Sequence, residues 1–114
     1  MTNTGKNYLA IKVFDDGCEI CQHMGKHDRA VFDEFSDLYY EEVLLDNIIN
    51  HNNDLTKLRI YRTLEKYAVN QDYTIDLPVY MVFSKSGEYK GHHVGAATIV
   101  ELRDVVKESL GDTA

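Results

Sequence analysis

Apolar runs bounded by polar turns predict four strands. The first run ends at residues 15–17, Asp-Asp-Gly, a composition typical of turns. The second has a Val-Leu-Leu centre, which indicates a central strand buried on both faces. The chain's only proline, Pro78, precedes the third run, and a sheet tolerates proline at the start of a strand. A Lys-Ser-Gly-Glu turn then predicts a hairpin to the fourth run. The predicted strands are residues 8–14, 41–46, 79–83 and 89–94.

Apolar residues at three- and four-residue spacing predict three helices. The first begins at Cys18 and runs for about four turns. Asp54 is suited to cap the second helix, and Thr98 the third, with Glu101 as its capping-box partner. Residues 47–53 are predicted to form a polar loop, so the element order is β-α-β-α-β-β-α. The predicted buried faces are Ile20, Cys21, Met24, Val31, Phe32 and Phe35 in the first helix; Leu55, Leu58, Tyr61, Leu64, Tyr67 and Ala68 in the second; and Ile99, Leu102, Val105, Val106 and Leu110 in the third.

Length and composition predict one globular domain over residues 1–114. The chain is 13.1 kDa and 44% apolar, enough to bury a single core. No apolar run approaches the ~20 residues of a membrane span, and no signal-peptide core precedes the first strand. We therefore expect a cytosolic protein. Because thiols are mostly reduced in that compartment, a close pair of cysteines is more typical of catalysis or metal binding than of a structural disulfide.

The charge balance argues against two classes of partner. Nineteen acidic and twelve basic residues give a formal net charge of −7. General affinity for nucleic acid or for an anionic membrane needs clustered lysine and arginine. We therefore expect a protein that binds neither nucleic acid nor membrane. We also expect a monomer.

Cys18 and Cys21 are the only cysteines, and they lie where the first strand gives way to the first helix. Two thiols at this spacing and place are typical of reversible dithiol–disulfide chemistry. The first sulfur would lie at the helix N-terminus, where unpaired N–H groups and the helix dipole favour a thiolate. The second would lie one turn further on, close enough to attack a mixed disulfide.

Metal binding is the alternative chemistry for this segment. Cys18, Cys21, His23 and His27 form a C-x2-C-x-H-x3-H array, and these ligand types suit zinc. On a helix, however, Cys21 and His23 point to different sides, so four ligands would not converge without unwinding. The spacing therefore favours redox chemistry and no metal.

The element order, the C-x-x-C motif after the first strand and the proline before the third resemble the thioredoxin fold. The similarity in sequence is strongest at residues 77–88, Leu-Pro-Val-Tyr-Met-Val-Phe-Ser-Lys-Ser-Gly-Glu, and at Val-Gly-Ala, residues 94–96. The resemblance covers a core of about residues 8–110. It implies an α/β protein whose central mixed sheet of about four strands is flanked by helices.

The resemblance also implies roles for individual residues. Cys18 matches the attacking cysteine and Cys21 the resolving one. Pro78 matches a cis-proline that faces the cysteine pair, and Leu77 matches the residue whose backbone pairs with an extended substrate. Gly95 matches the glycine that leaves room for that substrate.

Four positions depart from the thioredoxin pattern. Glu19 and Ile20 replace a glycine-proline dipeptide between the cysteines, so we expect them to tune the site. Gly17 stands where a tryptophan precedes the first cysteine. Lys12 occupies the strand position of a buried aspartate that is thought to accept the proton of the resolving thiol. The stretch between Cys21 and Pro78 is also longer than in a typical thioredoxin.

The resemblance implies a thioredoxin-like dithiol–disulfide oxidoreductase that exchanges disulfides with partner proteins. A thioredoxin reductase or glutathione would supply electrons, and no bound cofactor is implied. The alternative from a different class is a binding module that grips another protein through the groove at Leu77 and Pro78 with little turnover.

Overall fold

Four strands form one mixed sheet in the computed structural model, which describes residues 6–50 and 54–111. The strands are β1 (Tyr8–Phe14), β2 (Leu38–Leu44), β3 (Val79–Ser84) and β4 (Tyr89–Val94). Their order across the sheet is β2-β1-β3-β4. The β1 and β2 strands run parallel, whereas β3 is antiparallel to both β1 and β4. This mixed four-stranded sheet flanked by helices confirms the predicted fold class.

Five helices flank this sheet in the described part of the chain. They are α1 (Glu19–His23), α2 (Gly25–Phe32), α3 (Leu45–Ile49), α4 (Leu55–Tyr67) and α5 (Ile99–Ser109). None of these helices is long and apolar enough to cross a membrane.

Alternation of side chains along the strands divides the core into two layers. One face of the sheet packs against α3 and α4, and the other packs against α2 and α5. The first layer includes Leu9, Ile11, Val13, Ile48, Ile60, Leu64, Met81 and Phe83. The second includes Ala10, Val31, Phe32, Tyr80, Val82, Leu102 and Val106.

The prediction of one long first helix is wrong. The segment forms two helices that meet at Met24, and Ile20 is 51% exposed instead of buried. The buried positions keep three- and four-residue spacing and are Cys21, Met24, Asp28, Val31 and Phe32. A charged residue therefore occupies one position of the buried stripe, and Ile20 lies outside that stripe.

The second strand differs from its prediction in extent and in place. It covers Leu38–Leu44 and pairs only with β1 among the described strands, so it is an edge strand and not a central one. Residues 45–49, predicted as strand end and loop, form α3, and its Ile48 is fully buried. Leu45 and Ile48, which follow β2, thus pack against the first core layer from a helix. Residues 51–53 of the predicted loop lie outside the described residues.

The two later helices are capped as predicted. The Asp54 side chain accepts a hydrogen bond from the Lys57 amide at 3.1 Å, and Thr98 and Glu101 form a capping box. The buried face of α5 is correct at its centre, since Leu102 and Val106 are buried.

The predicted buried face of α4 is partly wrong. Leu55 is 75% exposed and Tyr67 lies at the exposed margin, whereas Ile60 and Leu64 are buried. The buried face is therefore rotated toward Ile60, which packs with the first core layer.

Candidate active site

Three chain segments meet at one end of the sheet. Val13 of β1 pairs with Val79 of β3, and Val79 pairs with Val94 of β4. Because β1 and β4 end where β3 begins, the residues just beyond these pairs share one edge. The cysteine loop after β1, Pro78 before β3 and Gly95 after β4 therefore lie at the same end of the sheet.

Cys18 and Cys21 form a disulfide at the start of α1. Their Cα atoms are 5.2 Å apart, within the usual range for a disulfide. Cys18 is the N-cap of α1, and its Sγ accepts a hydrogen bond from the Cys21 amide at 3.1 Å. Cys18 is half-buried, whereas Cys21 is 3% exposed. Only the first cysteine of the pair is thus open to a large partner.

The loop before Cys18 is ordered by local hydrogen bonds. The Cys18 amide donates to the Asp15 carbonyl at 3.0 Å, and the Gln22 side-chain amide donates to the Asp16 carbonyl at 3.2 Å. The Asp15, Asp16 and Glu19 side chains are exposed. They place negative charge beside the N-terminus of α1, which carries a positive partial charge.

Pro78 and Gly95 are joined by a backbone hydrogen bond. The Gly95 amide donates to the Pro78 carbonyl at 2.8 Å, and the Leu77–Pro78 peptide bond is cis, as expected. Pro78 is buried, while Leu77 is half-buried against the first core layer. Gly95 has a φ of +86°, which favours glycine, and a Cβ there would meet no atom within 4 Å. The space beside Gly95 is therefore open.

A shallow cleft connects α1 with the loop that follows β4. Its lining residues are Glu19, Ile20, His23, Met24 and Ala96. Glu19 and Ile20, which were predicted to tune the site, both project from α1 into solvent. The cleft has an apolar wall at Ile20 and Met24 and a carboxylate at Glu19.

The two histidines of the alternative metal array lie close to each other. The ring centroids of His23 and His27 are 6.4 Å apart in an edge-to-face arrangement. Among residues 6–50 and 54–111, no three His, Cys, Asp or Glu side chains come together in a group that could hold a metal ion. The sulfurs of Cys18 and Cys21 are bonded to each other.

A buried ion pair lies beneath the cysteines, and sequence analysis missed it. The Lys12 side chain of β1 and the Asp28 side chain of α2 are 3% and 0% exposed and form an ion pair. The Lys12 ammonium also donates to the Cys21 carbonyl at 2.7 Å. On the other oxygen of Asp28, the Tyr80 hydroxyl donates at 2.6 Å. Burial, followed by the hydrogen bond to Asp28, raises the pKa of Tyr80 far above its usual value, so Tyr80 remains a donor.

A second carboxylate, on the edge strand β2, lies near the same lysine. The Lys12 ammonium lies 3.9 Å from a Glu42 carboxylate oxygen. Tyr40 donates its hydroxyl proton to Glu42 at 2.8 Å and stacks on Phe32 with ring centroids 4.4 Å apart. Burial and the hydrogen bond to Glu42 raise the pKa of Tyr40. Every buried side-chain polar atom of the described residues has a partner.

The described sheet, helices and cysteine pair define the class of the protein: it has the thioredoxin fold, with the disulfide at the start of the first helix. Among solved structures it is similar to oxidised mitochondrial thioredoxin 3 of Saccharomyces cerevisiae, with a TM-score of 0.60 and 17% identity over 90% of this chain and 79% of that one. It is similar to thioredoxin-2 of the malaria parasite, with a TM-score of 0.61 and 14% identity over 95% and 88% of the two chains.

A third similar structure is the thiol:disulfide interchange protein of the thioredoxin family from Chlorobium tepidum, with a TM-score of 0.59. It is 17% identical over 92% of this chain and 81% of that one. The sequence matches no protein-family model and no curated protein sequence. The fold and the proximal cysteine pair together support a thioredoxin-like redox function.

Proposed function

We propose that the protein is a dithiol–disulfide oxidoreductase that exchanges disulfides with partner proteins through Cys18 and Cys21. The observation that carries the proposal is the unequal exposure of two bonded cysteines at a helix start. Cys18 is partly exposed and caps α1, while Cys21 is buried one turn further on. Such an arrangement gives one sulfur access to a partner and keeps the other for an intramolecular step.

The proposed reaction has two exchange steps. The Cys18 thiolate attacks one sulfur of the partner's disulfide, and the partner's other sulfur leaves as a thiolate that takes up a proton. Cys21 then loses its proton to solvent and attacks the Cys18 sulfur. The Cys18–Cys21 bond forms, and the second partner thiol leaves. The partner gains two electrons and this protein loses two, which a thioredoxin reductase or glutathione restores without a bound cofactor.

The partner's chain is proposed to lie across Leu77, Pro78 and Gly95. The open space beside Gly95 supports this position, since an extended backbone can approach there without meeting a side chain. The exposed apolar side chain of Ile20, which lines a cleft together with Ala96, offers a further contact to this chain. We further propose that the protein acts as a monomer in the cytosol, where glutathione and reductases keep thiols available.

Reduction of insulin with a regenerating electron donor tests the proposal. The parent protein should accelerate insulin precipitation, and Cys18→Ser and Cys21→Ser should both abolish turnover. Cys21→Ser should also accumulate a stable mixed disulfide with a partner, because the resolving thiol is missing. Cys18→Ser serves as its matched control and should accumulate none.

A binding module would behave differently in the same assays. It would bind a partner without accelerating reduction, and its binding would survive both cysteine substitutions. No turnover with either thioredoxin reductase or glutathione would overturn the redox proposal. Trapping by Cys18→Ser alone would reverse the roles of the two cysteines.

A further inference from the structure

A buried cation contacts the residue that carries the second sulfur. The Lys12 ammonium lies 2.7 Å from the Cys21 carbonyl, and its stem extends from the centre of β1 with the whole residue only 2% exposed. The contact is to the main chain of Cys21. It therefore does not depend on the disulfide and can persist when Cys18 and Cys21 are reduced.

Ionisable groups face this cation from several elements. Asp28 of α2 forms the ion pair with Lys12, and Glu42 of β2 lies 3.9 Å from it at the sheet edge. Tyr80 of β3 bonds to Asp28 and remains protonated. Tyr40 of β2 binds Glu42, and Glu19 and His23 lie on α1 itself. Among these groups, Lys12 is the one whose charged atom bonds to Cys21.

The positions of these charged groups set the direction in which they shift the pKa of Cys21. The sulfur of Cys21 lies within a few bonds of its own carbonyl, so a thiolate there would be a near neighbour of the ammonium. An opposite charge within ~4–6 Å favours the charged form of a group, by about 1–3 pKa units. Asp28 opposes the effect, but its carboxylate bonds to Lys12 and Tyr80, whereas the Lys12 ammonium bonds to Cys21 itself. The cation thus dominates at Cys21.

We propose, on the basis of the proposed exchange function, that Lys12 is a positioning residue that holds the main chain of Cys21 and stabilises the Cys21 thiolate during resolution of the mixed disulfide. Asp28 acts as the counter-ion that keeps Lys12 charged and oriented while it is buried.

The proposal changes how the second step proceeds. An ammonium cannot accept a proton, so the Cys21 proton goes to a solvent or buffer molecule, and Lys12 stabilises the anion that remains. This anion attacks the Cys18 sulfur, the Cys18–Cys21 bond forms, and the partner's thiolate leaves and is protonated. The strand position at which the resemblance implies a proton acceptor therefore carries an electrostatic stabiliser in this chain.

The test is a titration of Cys21 as the only thiol, in a Cys18→Ser background. Thiolate absorbance in the far ultraviolet is followed against pH for this parent and for Lys12→Met, Asp28→Asn and the double variant. Lys12→Met should raise the pKa of Cys21 by about 1–2 units, because the cation is lost and Asp28 remains. Asp28→Asn should lower it. The double variant should lie above the parent but below Lys12→Met.

Shifts of the Cys21 pKa in opposite directions in the two single variants would distinguish an electrostatic role from a structural one. A role in packing alone would shift the pKa of Cys21 in the same direction in both variants, or in neither, and either result would overturn the proposal. If a single variant does not fold, the double variant contains no unpaired buried charge and must still raise the pKa above the parent value. The titration needs no partner, so its failure is distinct from failure of insulin reduction.

Discussion

Removal of the Lys12 charge should destabilise the oxidised protein strongly. In Lys12→Met the apolar stem is retained, but the carboxylate of Asp28 remains fully buried with the Tyr80 hydroxyl as its hydrogen-bond donor. The Cys21 carbonyl also loses the donor that it has at 2.7 Å. The variant thus leaves an uncompensated charge and a carbonyl without its donor beneath the cysteine pair.

The expected loss in the free energy of unfolding follows from the burial of the two charges and from their separation. Two opposite charges ~4 Å apart attract by about 4 kcal/mol at an effective dielectric constant near 20. Loss of one partner of a buried pair costs about 3–5 kcal/mol, because the other charge is left without compensation. A domain of this size has a free energy of unfolding of about 5–15 kcal/mol in total. Lys12→Met should therefore lose about a fifth or more of the free energy of unfolding.

Urea unfolding of the oxidised protein, followed by far-ultraviolet circular dichroism, measures this loss. The double variant Lys12→Met/Asp28→Asn should recover most of it, because paired removal of buried charges is often neutral or stabilising. Lys90→Met is the matched control, since the ion pair of Lys90 with Glu88 at 3.5 Å is largely exposed and should contribute less than 1 kcal/mol. A loss in Lys12→Met no larger than that in Lys90→Met would refute the reasoning.

Three further substitutions test the site and the sheet edge. Glu19→Gln removes an exposed charge beside Cys18 and should lower the pKa of that thiol by less than ~1 unit and raise the reduction potential by up to ~20 mV, measured against glutathione buffers at low salt. Gly95→Ala forces a non-glycine residue to a φ of +86° and should cost ~1–2 kcal/mol in urea unfolding. Tyr40→Phe should flatten the loss of stability above about pH 10, because folding raises the pKa of Tyr40 and only the unfolded chain ionises there.

For each of these three predictions, one result would contradict the reasoning. Asp104→Asn removes an exposed charge from α5 and is the control for Glu19→Gln; equal shifts in the two would mean that only net charge matters. An unchanged free energy of unfolding in Gly95→Ala would contradict the backbone argument, since the added Cβ meets no atom within 4 Å. In Tyr40→Phe, stability between about pH 7 and pH 9 must depend on pH as it does in the parent, and an unchanged loss of stability above about pH 10 would contradict the prediction.

The elements that sequence predicted correctly are those fixed by local signals. Apolar runs placed β1, β3 and β4, and the caps at Asp54 and Thr98 fixed the starts of α4 and α5. The extent of β2 and the existence of α3 could not be predicted, because a short apolar run suits a strand or a helix equally well. Packing of Ile48 into the first core layer decides between them.

The ion pair was not predictable for a different reason. Lys12 stood out as a departure within an apolar strand, but its partner is 16 positions away on α2. Asp28 has the spacing of the buried stripe that includes Cys21 and Val31, yet a charged residue is normally excluded from such a stripe. Only the packing of α2 on the sheet shows that each residue compensates the other.

The lysine on β1 contacts the main chain close to the break between α1 and α2. At the end of α1 the Met24 N–H bonds to the carbonyls of Ile20 and Gln22, and the Lys12 ammonium donates to the carbonyl between them in sequence, that of Cys21. A cation at a helix C-terminus is also favoured by the helix dipole. A carboxylate at position 12 would face both this carbonyl and Asp28. The charge found there is therefore the one that the local backbone favours, and the proposed stabilisation of the Cys21 thiolate uses this same contact near the end of α1.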